Sequence, residues 1–302
     1  MSASGIEIKK ERWLFTVFLV LFIAGIFGFF IFDTSELSAN SRSKESIPLE
    51  LLLVTGIFLA PIFEELAFRA AFIRSKIYII ICLLLMAGFV LMSYENYYAV
   101  VAFVFFIIVF VLYKKTNSPF LFKLVCISNA VLFGLVHYKI EDFASFDRGF
   151  IVLFQISIGF LLIWVTINYG LVRSMIIHGT YNAMALGFVV YGLQFPDTSP
   201  KIYDDENIKV EWQHVPYFES FSSNFNMTND SIITEGIKLP VLYPSLNVTD
   251  TLRQQNMIII DPYIKYNFRI ILKENAVNTD IDLATESFLL KENLIMPNTD
   301  AN

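Results

Sequence analysis

The chain has 302 residues, enough for two soluble domains, yet 56% are apolar, 16% aromatic and only 17% charged, and the mean hydropathy is +0.59. Set against a soluble norm of ~45–50% apolar and ~25% charged, this excludes a disordered chain, argues against a nucleic-acid binder with a basic face, and makes a membrane protein the leading class. The net charge of −6 is uneven: residues 1–200 hold 14 Lys and Arg against 13 Asp and Glu (+1), and residues 201–302 hold 8 against 15 (−7).

Lys9, Lys10 and Arg12 precede twenty uncharged residues, Trp13 to Phe32. At 1.5 Å per helical residue these reach ~30 Å, the thickness of the hydrocarbon layer. The following Ser-Glu-Leu-Ser-Ala-Asn lacks a small-residue cleavage pattern, so the segment reads as a retained span rather than a signal peptide. Further apolar segments cover 49–73, 77–93, 97–113, 120–138, 150–170 and 171–192, separated by short polar, Gly, Pro or Asn turns. With the amino terminus in the cytoplasm, nine Lys and Arg fall on inner connections and four on outer ones, which favours that orientation. Seven spans then put the acidic tail on the extracytoplasmic side of the cell membrane. Cys82 and Cys126 sit in apolar runs with no metal-binding spacing and read as small buried hydrophobes.

After Phe195-Pro196 the texture becomes mixed. Alternation in Tyr266-Asn267-Phe268-Arg269-Ile270 signals a strand, and Pro240, Pro244 and Pro262 signal turns. Asn226, Asn229 and Asn247 begin glycosylation-type triplets, a pattern common by chance, and His214 reads as a surface residue. The expected architecture is mainly α: a polytopic membrane helical bundle of about seven spans over residues 1–195, then a small acidic α+β extramembrane domain over 196–302.

The informative residues are the polar groups inside the apolar body, because ionisable side chains in lipid are costly and tend to be paired, interior-facing and functional. Pro61-Ile62-Phe63-Glu64-Glu65-Leu66-Ala67-Phe68-Arg69 holds two adjacent carboxylates and a guanidinium. Glu65 and Arg69 are i,i+4 neighbours able to pair, whereas Glu64 is rotated by about 100° and available. An ion pair snorkelling to the interface explains Arg69, but not two adjacent acids. His137 follows Phe133 by one turn on the fifth segment, and Asn182 follows His178 by one turn on the seventh. Singly, each polar group reads as an interhelical hydrogen bond. Together, two Glu, two His, an Asn and an Arg on three spans can converge on one buried site with a base for water, proton shuttles and an oxyanion donor.

In order and setting, Glu64-Glu65-x-x-x-Arg69, Phe133-x-x-x-His137 and His178-x-x-x-Asn182 resemble the EExxxR, FxxxH and HxxxN signatures of the CAAX-protease and bacteriocin-processing (CPBP, or Abi) intramembrane proteases. The resemblance covers residues 49–192. It implies that Glu64 activates the attacking water with help from His137, that Glu65 and Arg69 organise the site, and that His178 and Asn182 stabilise the oxyanion. It implies a membrane-associated protein or peptide substrate, prenylated or not. A divalent metal such as Zn²⁺ on Glu64, His137 and His178 and a metal-free carboxylate mechanism are equally compatible with these residues; no HExxH motif is present. Two readings from other classes stand beside the enzyme: a non-catalytic membrane scaffold or bacteriocin-immunity protein of the same fold, and a proton-coupled transporter.

Two departures stand out. The 72-residue separation between Glu65 and His137 exceeds the family's usual spacing, which an inserted apolar hairpin over 77–113 accounts for. Straight helices also place Glu64 ~22 Å from the outer end of its span and His137 ~25 Å from the inner end of its own, too far apart to meet unless Pro61 breaks the second span or Lys123 marks the inner boundary of the fifth.

Overall fold

A computed structural model describes residues 11–31, 47–73, 75–93, 96–138, 146–219, 223–246, 257–274, 276 and 279–297. The chain forms two compact units, one of residues 1–41 and 50–184, the other of residues 42–49 and 185–302. The division falls within the seventh helix, ahead of the composition change at Phe195-Pro196.

The first unit is helical. In chain order it contains α1 (Arg12–Ile31), α2 (Leu49–Phe68), α3 (Lys76–Met92), α4 (Tyr97–Thr116), α5 (Pro119–Leu135), α6 (Phe146–Tyr169) and the start of α7 (Leu171–Gln194). Every apolar segment expected from sequence thus contains a helix. Among the described residues four are long and apolar enough to cross a membrane: α2, α4, α6 from Gly149, and α7. The described apolar parts of the others are shorter: Arg12–Gly28, Lys76–Met92 and Pro119–Leu135.

Local chemistry sets the helix ends. Asn96 caps α4 by accepting the N–H groups of Tyr98 and Ala99, while its amide donates to the carbonyls of Leu135 and Tyr138 at 2.9 Å each. One side chain therefore closes the start of α4 and the end of α5. Asn117 ends α4 in the left-handed region, and Pro119 opens α5, where a missing N–H costs nothing. Close crossings use glycine: a Cβ at Gly159 of α6 would lie 3.1 Å from the backbone of Ala130 on α5.

The segment expected to be one helix over 49–73 is helical only to Phe68, followed by a 3₁₀ turn over Ala70–Phe72. The reason is Asn129, whose amide takes the Phe68 carbonyl at 2.7 Å. Consequently α2 ends against the middle of α5, and Glu64 and His137 meet, with a π-helical turn over Thr55–Leu59 ahead of Pro61 on α2.

The second unit contains a five-stranded antiparallel sheet, ordered β1-β2-β6-β4-β3. Its strands are β1 (Lys201–Asp204), β2 (Ile208–Val215), β3 (Asn224–Met227), β4 (Ser231–Lys238) and β6 (Lys265–Leu272), and β5 (Met257–Ile259) pairs separately with β7 (Ile295–Pro297). Period-two alternation buries Val210, Ile270 and Ile232 as direct cross-strand neighbours, with Trp212 opposite Phe268 in the next buried row. Helix α9 (Ile281–Lys291) covers that face with Phe288 and Leu289, and α8 (Leu239–Ser245) adds Leu242 and Tyr243.

The expected strand at 266–270 lies within β6. Pro240 and Pro244, by contrast, belong to α8 rather than to turns; Pro240 sits in the first turn, where no helical N–H is needed. His214 is half-buried rather than on the open surface, edge-on to Tyr266 at 5.1 Å. Burial and the Lys201 ammonium push its pKa down, partly opposed by Asp261 and Asp197.

Asp205 organises the β1–β2 turn. Partial burial pushes its carboxyl up, but the N–H of Ile208, the Tyr203 hydroxyl, the N–H of Asn207 and the Lys291 ammonium outweigh this and hold it at about 2. The unfolded chain therefore binds the proton first, so the stabilisation is complete above pH ~4 and is lost as pH falls toward about 2. Asp205→Asn is expected to flatten this acid limb and to lower stability at neutral pH by roughly 1 kcal/mol, read by thermal unfolding of the full chain across that range.

Candidate active site

Three helices supply the polar groups. On α2, a π-helical turn over Thr55–Leu59 precedes an α-helical stretch, Ala60–Phe68, that carries Glu64 and Glu65. Pro61 cannot donate to the carbonyl four residues before it, that of Ile57, and α7 approaches that bared backbone closely. A Cβ at Gly179 would stand only 2.8 Å from the Ile57 oxygen, and the Asn182 amide donates to the Gly56 carbonyl at 2.8 Å. Pro61, Gly179 and Asn182 together dock α7 onto the widened turn of α2 and set the height of His178 beside the two glutamates.

Glu65 lies at the sealed side of the cluster. Its side chain is fully buried, accepts the Ser174 hydroxyl on Oε2 at 2.5 Å, and lies 3.0 Å from His178 Nδ1 through Oε1. Arg69, also fully buried, places Nε 3.7 Å from Glu65 Oε1, its Nη2 3.5 Å from the Gly159 carbonyl, and its guanidinium 4.1 Å above the Phe133 ring. Opposite charge, a cation–π face and a neutral hydroxyl thus replace part of the water that these ions would otherwise need, while Arg69 Nε and Nη1 have no hydrogen-bond partner among the described residues.

Glu64 lies on the accessible side. Its Oε2 is 3.4 Å from His137 Nε2 and 3.7 Å from His178 Nε2, and the side chains of Glu64 and His137 keep 13% and 18% exposure. The tautomers follow from the partners. His137 Nδ1 is 2.5 Å from the Phe133 carbonyl, which can only accept, so this nitrogen carries hydrogen; Glu65 imposes the same on His178 Nδ1. Both imidazoles therefore aim Nε2 at one carboxylate oxygen. Phe133 sits among them, with its ring 4.8 Å from that of His137 and 5.8 Å from that of His178.

Of the residues singled out from sequence, Glu64, Glu65, Arg69, His137 and His178 meet directly, whereas Asn182 acts on the backbone of α2. Sequence reading missed Ser174, the Phe133 ring as a platform for Arg69, and the carbonyls of Gly56 and Ile57. Ser174 had a signal: with His178 and Asn182 it forms an i, i+4, i+8 polar stripe in an apolar helix. Glu64, His137 and His178 carry donor types that suit zinc. Among the described residues no group of three or more His, Cys, Asp or Glu is disposed to hold a metal ion.

No family model, curated protein or solved structure matches the chain.

The α2–α7 contact yields a direct test. Gly179→Ala is expected to cost about 1–3 kcal/mol through overpacking. Gly88→Ala on α3, where the surroundings are open, is expected to be neutral or slightly stabilising. Thermal unfolding in detergent compares the two.

Proposed function

We propose that the chain is an integral-membrane endopeptidase that hydrolyses a peptide bond of a membrane-associated protein or peptide with a water activated by Glu64, in the manner of the CPBP proteases its motifs resemble. The observation that carries this reading is the convergence of two Nδ1-anchored imidazoles on the accessible carboxylate of Glu64.

A water at ~2.8 Å from both Glu64 Oε2 and His137 Nε2 completes a triangle with their 3.4 Å separation. Glu64 removes its proton as the oxygen attacks the carbonyl carbon, and the same proton, now on Glu64, passes to the leaving amine when the C–N bond breaks. Atoms balance: one water adds across one amide. Two carboxylates and one guanidinium leave a formal charge of −1, which one proton on the imidazoles neutralises. His178, between both carboxylates, is best placed to carry that proton and to present Nε2–H to the oxyanion. Glu65, Arg69, Ser174 and Asn182 position these groups without touching substrate.

The setting belongs to the same proposal. Seven crossings with the amino terminus in the cytoplasm put residues 196–302 outside the cell membrane, in keeping with the nine-to-four distribution of Lys and Arg.

Glu64→Gln is expected to lower cleavage by at least about 10²–10⁴-fold with insertion and thermal stability retained, measured as new protein termini in membranes bearing either form. Full cleavage by the variant refutes the assignment, and a binding phenotype that survives it supports the scaffold reading. Ser174→Ala is expected to lower kcat by about 10-fold with KM little changed, and Ser174→Thr to recover part of the loss, because the hydroxyl acts through Glu65.

A further inference from the structure

Away from the glutamates and histidines, the helical unit holds a cavity of about 850 Å³, within the ~300–1,000 Å³ range of small-molecule sites. Its walls come from Glu11 ahead of α1, Ile73 after α2, the last turns of α4 and α6, and the first turns of α5. These all belong to one end of the helical unit, the end at which α1 begins. Phe72, Phe110, Tyr113 and Phe122 give an aromatic, apolar interior, and Lys114 and Lys123 are two exposed cations on its wall. Lys114 is held over the Phe110 ring at 5.1 Å. Among the described residues neither lysine has an ion-pair partner. Among the described lining residues Glu11 is the only acid, and it accepts the Trp13 indole N–H.

A further feature points to an occupant. Thr166, in the wall, is 6% exposed and its hydroxyl has no hydrogen-bond partner among the described residues. A buried hydroxyl left unpaired costs free energy that an acceptor on a bound molecule removes.

We infer that this cavity binds an acidic phospholipid, its acyl chain among the aromatic rings, its phosphate between Lys114 and Lys123, and an ester carbonyl at the Thr166 hydroxyl. The match is one of charge and polarity at membrane depth. Two cations against one carboxylate leave a positive mouth where anionic headgroups lie, an apolar interior takes the chain, and the unpartnered Thr166 hydroxyl takes the ester that joins them. The inference requires the membrane setting but not the peptidase reading.

The test uses the full chain in nanodiscs of phosphatidylcholine alone or doped with phosphatidylglycerol of the same acyl composition, followed by thermal unfolding and by native mass spectrometry of the released protein. Phosphatidylglycerol is expected to raise the unfolding midpoint and to stay bound. The Lys114→Gln/Lys123→Gln protein is expected to lose both effects, at about 5-fold in affinity per lysine. Thr166→Val is expected to weaken retention by a few-fold, with Thr166→Ser restoring it. Equal stabilisation by phosphatidylcholine, the same shift with inorganic phosphate or glycerol phosphate alone, or undiminished retention by the double variant would each overturn the proposal. Because cleavage is not the readout, failure of the peptidase assignment leaves this test intact.

Discussion

Ions buried among apolar helices persist only when each is answered by another, and the Glu65–Arg69 pair is the constraint on which the rest of the helical unit hangs. Both side chains are fully buried, with 3.7 Å between Nε and Oε1, a distance too long for a strong direct bond. Their stability comes from what surrounds the pair: the Phe133 ring beneath the guanidinium, the Ser174 hydroxyl and His178 on the carboxylate. Those partners come from α5 and α7. Enclosing one ion pair therefore holds three helices against one another, and it also holds the imidazole of His178 in the orientation that faces Glu64.

From this follows a division of labour between adjacent carboxylates that differ by one residue in sequence. Glu65 is sealed and bonded to Ser174 and His178; Glu64 is partly accessible and flanked by imidazole nitrogens at 3.4 and 3.7 Å. A helix rotates neighbouring side chains by about 100°, so one acid can face the interhelical core while the other faces a polar gap. The π-helical turn and Pro61 add the second requirement. They expose carbonyls on α2 that Asn182 and the bare Cα of Gly179 exploit, so the backbone of α2 itself becomes part of the docking surface.

Much of this was legible in the residues. The i,i+4 spacing of Glu65 and Arg69 and the scarcity of charge in apolar runs were enough to expect a pair and a free acid, and the seven apolar runs to expect seven helices. Three features were not legible. The stop of α2 at Phe68 depends on Asn129, an unremarkable residue sixty-one positions later whose amide captures a carbonyl, a tertiary event without local signature. Ser174 was overlooked because a hydroxyl in a helix usually bonds its own backbone, whereas here it faces the Glu65 carboxylate and the Leu162 carbonyl on other helices. Pro240 and Pro244 read as turn signals because proline punctuates most chains, yet a short helix accepts Pro240 in its first turn; Pro244, inside the helix, has no such local reason.

The central claim is that a single carboxylate oxygen is shared by two imidazoles whose Nδ1 atoms are already engaged. With only three histidines in the chain, ¹⁵N NMR of histidine-labelled protein in lipid reads it directly. The account predicts Nδ1-protonated rings for His137 and His178, and Nε2 resonances of both that move in Glu64→Gln while those of His214 stay in place. Spectra in which Glu64→Gln leaves both Nε2 signals unmoved would contradict it.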